Sequence, residues 1–204
     1  MRGLQLHLRS RRVPLALTTV TALIALAWAL SLAYTDSATI NARTASLAIM
    51  LAVVAVGTTL DGADGALDHT MAVNWPVRRA GHLLLAAATI TALLSLSMIT
   101  STRYEPFALL LRNTAGLLGL TALGATVLGA ALCWIAPLAW TLIAVLPMMA
   151  PSRDLKMQVA GWLIQPAGTT AATACAVVLA VTGLFAYALR GCPVRPVSET
   201  APDR

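Results

Sequence analysis

Three aspartates, Asp61, Asp64 and Asp68, recur at steps of three and four residues in the stretch LDGADGALDHTMAVNWPVRR that runs from Leu60 to Arg79. Placed on a helix they form an acidic stripe, one position round from an apolar stripe of Leu60, Ala63, Leu67 and Met71. Carboxylates spaced in this way can hold a cation, stand in water, or meet a basic surface. The alternating oxygen ligands of a calcium loop are missing, which argues against a metal. A helix lying on an anionic leaflet normally presents Lys and Arg. Three carboxylates there would be unfavourable by about 1 kcal/mol each, with the sign reversed from a basic residue. A solvated loop helix accommodates the charges, and a basic groove on a cytosolic protein accommodates them better. Gly62 and Gly65 weaken the isolated helix by about 1 kcal/mol each, so it needs a partner or the bilayer to form. Trp75-Pro76 reads as its end, and Arg78-Arg79 lead onward into an apolar run.

Little else in the chain could do chemistry. No nucleotide-binding G-x-x-x-x-G-K-S/T, zinc-binding H-E-x-x-H or nucleophile-bearing G-x-S-x-G pattern is present. No acidic or basic residue interrupts the long apolar runs, and such groups are the usual markers of proton relays and ion pathways. The expectation is a chain that is not an enzyme and binds no metal or cofactor, so that any active transport draws its energy from another polypeptide. His82 heads one apolar run and reads as a hydrogen-bonded interfacial residue. Arg112 reads as a snorkelling anchor at an outer mouth, or as a substrate contact there, and Asn113 beside it as a helix N-cap. Gly116, Gly119, Gly124 and Gly129 in one run allow close helix packing, with a dimer seam as an extension. Cys133, Cys175 and Cys192 share no metal-like spacing and read as buried small residues or free thiols.

The elements that must position these residues are set by where charge is absent. Of 204 residues, 58% are apolar and only 11% are charged, against about 25% in a soluble chain. Mean hydropathy is +0.79. Uncharged runs cover 13–35, 44–60, 80–102, 113–152 and 157–189. A soluble helix must show a polar face, so a soluble enzyme and a nucleic-acid-binding domain are excluded despite the net charge of +6. A helix needs about 20 apolar residues to cross a bilayer, and these runs lack the alternation of membrane strands. The expected fold is an all-α integral membrane protein with six transmembrane helices. The first spans 13–34, with an uncharged run too long for a signal peptide and therefore retained, and its Ala25, Ala29 and Ala33 form a small-residue packing face. The second spans 44–60 and the third 81–99. The fourth starts near Asn113 and turns around 131–137, broken by Gly129 and Pro137. The fifth spans 137–149 and the sixth 167–189. Between the last two, 150–166 is too broken by Pro147, Pro151 and Pro166 to cross, and reads as an outer interfacial or partly re-entrant helix.

Counting Lys and Arg on each side places both termini in the cytoplasm. The inner side holds Arg2, Arg9, Arg11, Arg12, Arg78, Arg79, Arg190, Arg195 and Arg204, against Arg43, Arg103, Arg112, Arg153 and Lys156 outside. Residues 1–12 are then a basic cytosolic N-terminus, 13–189 the transmembrane domain with an inner loop at 60–79, and 190–204 a cytosolic tail of a multi-pass cell-membrane protein.

This layout resembles the membrane subunit of ABC exporters of the ABC-2 permease type. The stretches Leu67-Asp68-His69-Thr70 through Trp75-Pro76-Val77-Arg78-Arg79-Ala80-Gly81-His82-Leu83 look like the inner loop of small actinobacterial permeases of this kind. Leu111 to Leu120, LRNTAGLLGL, resembles the start of their fourth span. Such loops often carry an acidic residue followed by Arg-Thr, where this chain has Asp68-His69-Thr70. The resemblance implies a coupling helix at Asp61–Met71 that docks on a separate cytosolic ATP-binding ABC subunit, with Asp61, Asp64, Leu67, Asp68, His69, Met71, Arg78 and Arg79 at the interface. It also implies that ATP and Mg reside in that partner, and that a second permease copy or a related permease completes the complex in the lipid. Two other functions fit the sequence: the substrate-binding six-span component of a vitamin-type importer, and a membrane anchor that transports nothing.

Overall fold

The computed structural model describes residues 13–34, 40–60, 74–99, 104, 106–145 and 151–193. Those residues form helices and turns, with no strand among them. Seven α-helices follow in order: α1 (Val13–Tyr34), α2 (Ala42–Gly57), α3 (Trp75–Ser95), α4 (Phe107–Leu128), α5 (Ile135–Val145), α6 (Leu155–Ala160) and α7 (Thr170–Arg190). Short 3-10 turns extend α3 to Ile99 and connect α4 to α5 at Ala130–Leu132. Six spans are expected; among the described residues four helices are long and apolar enough to cross a bilayer, namely α1, α3, α4 and α7. With 16 residues, α2 reaches about 24 Å, and α5, with 11, about 16 Å.

The helix boundaries follow from local chemistry. Asn41 caps α2 by accepting the backbone N–H of Arg43 at 3.1 Å. Pro76 lies in the first turn of α3, where its missing N–H has no cost. Trp75-Pro76 therefore opens the third helix instead of closing an amphipathic one, and Arg78 and Arg79 belong to the spanning helix. Pro106 sets the start of α4 at Phe107, six residues before the expected start at Asn113, so Asn113 is not a cap. Gly129 ends α4 with φ at 85°, a left-handed conformation that favours glycine. Pro137, expected as a breaker, sits within the first turn of α5.

Burial is distributed as lipid would require. Large apolar side chains such as Leu26, Leu30, Leu84, Leu85, Val178, Phe185 and Leu189 point outward. The interior is rich in small residues, because close backbone approach replaces the hydrophobic effect as the source of cohesion in a bilayer. The central helix is α4, 72% buried along its spanning window against 22–28% for the other three. It runs parallel to α7, and its Gly119 meets the backbone of Leu179, Ala180 and Gly183 there. Gly116 lies under the indole of Trp162, and Gly124 against the backbone of Cys133. The glycine face of α4 is thus a packing surface within one chain. In α1 the buried positions are Ala16, Val20, Ile24 and Ser31, facing α2 and α3. The Ala25, Ala29 and Ala33 face, expected to pack, is exposed instead.

Candidate functional site

Two polar clusters interrupt the apolar packing. The first is built on Arg112 and Asn113, about one and a half turns into α4. Both side chains are buried, Arg112 at 6% exposure and Asn113 at 0%. The accessible outer-mouth pair expected from sequence is therefore replaced by an internal brace. After α6 the chain turns through Gly161–Gln165, and Trp162, Leu163, Ile164 and Gln165 are all buried. That turn leaves carbonyl groups without helical partners, and irregular backbone among membrane helices is tolerated only where protein satisfies it. Arg112 does so. Its Nη2 donates to the carbonyls of Trp162 (2.8 Å) and Gln165 (2.7 Å), and its Nη1 to that of Pro166 (3.1 Å). Its Nε donates to Asn113 Oδ1 at 3.2 Å. Asn113 Nδ2 donates to the carbonyl of Leu163 at 2.8 Å and to Ser46 Oγ of α2 at 3.2 Å. A buried guanidinium is costly unless its fork of donors is matched, and here carbonyl dipoles match it.

The segment 150–166, read as interfacial or partly re-entrant, thus divides in two. Asp154 caps α6 through the backbone N–H of Lys156 at 3.4 Å, and Leu155 and Met157 of α6 are exposed. The following turn is buried and packs against α2 and α4. Ser152 N–H donates to Gln165 Oε1 at 3.3 Å, and Trp140 of α5 donates its indole N–H to Ala160 at 3.0 Å, which closes the segment on itself. Ser46, Trp162 and Gln165 were not singled out by sequence. The available signal was Arg112 itself, a charge at the edge of a 40-residue uncharged run that must find acceptors somewhere.

The second cluster lies where α2 ends, at the root of the aspartate-bearing loop. The Tyr187 hydroxyl of α7 donates to the carbonyl of Leu60 at 2.8 Å, and Cys192 Sγ approaches the same oxygen at 3.6 Å. Thr59 Oγ1 lies 2.8 Å from His82 Nε2 and 2.7 Å from the carbonyl of Val56. The single hydroxyl proton of Thr59 must go to the carbonyl, which has none, so His82 Nε2–H is the donor. His82 is the hydrogen-bonded residue its position suggested. The other root of the loop is the start of α3, where the guanidinium of Arg78 lies 5.8 Å from the Trp75 ring centre. Arg79 turns to the end of α7, against Gly191. Asp61, Asp64, Leu67, Asp68, His69 and Met71 lie outside the described residues, as do both termini. Among the described residues no group of three or more His, Cys, Asp or Glu could hold a metal, and the three cysteines are free thiols.

No protein-family model, curated protein or solved structure matches this chain. Its apolar helices are those of a membrane protein.

Proposed function

We infer that the chain is the permease subunit of an ATP-driven ABC exporter, with six spans in which the short α2 and α5 complete the crossing set. It catalyses nothing itself. ATP and Mg belong to a cytosolic partner that docks on Asp61–Met71, and a second permease copy or a related permease forms the rest of the path.

The observation that carries this reading is the anchoring of the aspartate loop at both roots. Leu60, immediately before Asp61, is held by Tyr187 of α7, and Thr59 is held by His82 of α3. The far root is continuous with α3. A push on the loop therefore reaches α3 and α7 directly, and α4 moves with α7 because backbone meets backbone at Gly119 and Gly183. Two states that differ in these contacts would give the partner's motion a route into the spans. The brace at Arg112 keeps the buried turn in place while the helices tilt.

The experiment is co-purification with the candidate ABC ATPase, followed by its ATPase rate. Replacing Asp61, Asp64 and Asp68 with Lys is expected to abolish association. Tyr187→Phe is expected to keep association and lose the permease-dependent change in ATPase rate. Association that survives the triple charge reversal overturns the reading.

A further inference from the structure

Away from that machinery, α1 and α3 leave room between them. A cavity of about 220 Å³ lies between Ile24 and Trp28 of α1 and Leu93 of α3, with Tyr104 of the following connection completing its wall. Ile24 and Tyr104 are buried, whereas Ala25 and Leu96 at the rim are exposed, so the cavity opens on the side where a bilayer lies. No residue lining it carries a charge. Its hydroxyl protons are spent inside the protein. Tyr104 Oη donates to the carbonyl of Ile24 at 3.3 Å, Ser97 Oγ to that of Leu94 at 2.7 Å, and Thr21 Oγ1 to that of Leu17 at 2.9 Å. An occupant therefore meets no ionic partner and no available hydroxyl proton, and a charged or strongly polar molecule would give up its solvation without replacement.

Apolarity alone does not choose the occupant, because lipid tails are as apolar as leucine and the hydrophobic effect offers nothing between them. Shape and ring contact decide. An apolar cavity of about 150 Å³ holds benzene, and this one is larger. Trp28 and Tyr104 bring an indole and a phenol to it from two different elements, and aromatic rings attract one another beyond what their area gives. A rigid ring also enters without surrendering the internal rotations that an acyl chain loses on being held. We propose that the cavity between α1 and α3 binds a neutral aromatic molecule of one or two rings, taken from the bilayer and held against Trp28 and Tyr104. Such binding does not depend on the docking of an ATPase.

Bromobenzene is the probe, because its heavy atom quenches the fluorescence of a tryptophan that it touches. In phosphatidylcholine nanodiscs the full chain is expected to show saturable quenching that removes the emission of Trp28, recognised as the share missing from Trp28→Phe. Ala25→Phe, at the exposed rim, fills the cavity and is expected to abolish the saturable component. Thr21→Phe, also at the rim, is a second filling variant with the same expected loss, should Ala25→Phe not fold. Ala29→Phe, one turn further along the exposed alanines and outside the cavity, is expected to keep it. Quenching that rises linearly with bromobenzene in the wild type overturns the proposal, as does equal saturation in the filled variants. Nanodiscs of phosphatidylcholine brominated on its acyl chains supply the rival occupant. Unbrominated benzene is expected to relieve their quenching of Trp28. Quenching that benzene leaves unchanged would show an acyl chain in the cavity, and the aromatic ligand would be ruled out.

Discussion

Gly119 of α4 and Gly183 of α7 face each other with only backbone between them. A methyl group on Gly183 would overlap the Gly119 carbonyl and one on Gly119 the Leu179 carbonyl, and a main chain cannot rotate away as a side chain can. Gly183→Ala should therefore destabilise the folded protein by about 1–3 kcal/mol, the usual range for overpacking. Gly81 is the control, because a Cβ there meets nothing within 4 Å. Gly81→Ala lies inside α3 and should stabilise by about 1 kcal/mol. Reversible unfolding in mixed detergent micelles reads both, and a neutral Gly183→Ala would show that the two helices are not locked together.

The positions of the helices were legible in the sequence because charge in a bilayer is costly. The uncharged run 13–35 contains α1, and 157–189 contains nearly all of α7. Helix starts were less legible. Trp75-Pro76 and Pro106 each begin a helix, but proline both starts and stops helices, and composition alone does not say which. The glycines of α4 announced close packing without naming the partner, which is set by tertiary geometry. Arg112 was the hardest residue to read. A lone arginine near the end of an apolar run has the same local sequence whether it snorkels to water or turns inward. The acceptors that decide the matter lie fifty residues away, in the turn that follows α6.

Arg112 leads to the second prediction. Arg112→Ala strips donors from three carbonyls and should cost about 3–5 kcal/mol, since buried groups left without partners are penalised heavily. Arg112→Lys keeps the charge but not the planar fork, and should recover only part of this. Thermal unfolding of the two variants checks the order. Equal stability of Arg112→Ala and wild type would mean that the turn at Gly161–Gln165 holds itself.

The indole of Trp162 covers Gly116 closely enough that a Cβ there would strike the ring. Gly116→Ala should destabilise, and Trp162→Phe, which removes the outer ring, should make the same alanine less costly. A double-mutant cycle is expected to give a coupling of about 1 kcal/mol or more between the two positions. A coupling near zero would place the ring elsewhere.

Tyr104 gives the pH prediction. It lies in the connection between α3 and α4, 2% exposed, and its hydroxyl donates to the carbonyl of Ile24 in α1 at 3.3 Å. Burial opposes the phenolate and raises the Tyr104 pKa from 10.0 to about 12. The folded state thus holds this proton more tightly than the unfolded state. The stability it contributes is fully present below pH 10 and declines as pH rises toward 12, because the unfolded chain releases its proton first. Tyr104→Phe removes that proton together with the hydrogen bond. The variant should be less stable than wild type below pH 10, by about 1 kcal/mol for the lost bond. The difference should shrink through the alkaline window, because only the wild type loses stability there through this group. Melting curves of both proteins across that window decide the point. A gap that stays constant with pH would mean that the phenol at position 104 ionises equally readily in the folded and unfolded chains, and that the wall it forms against α1 is open to water.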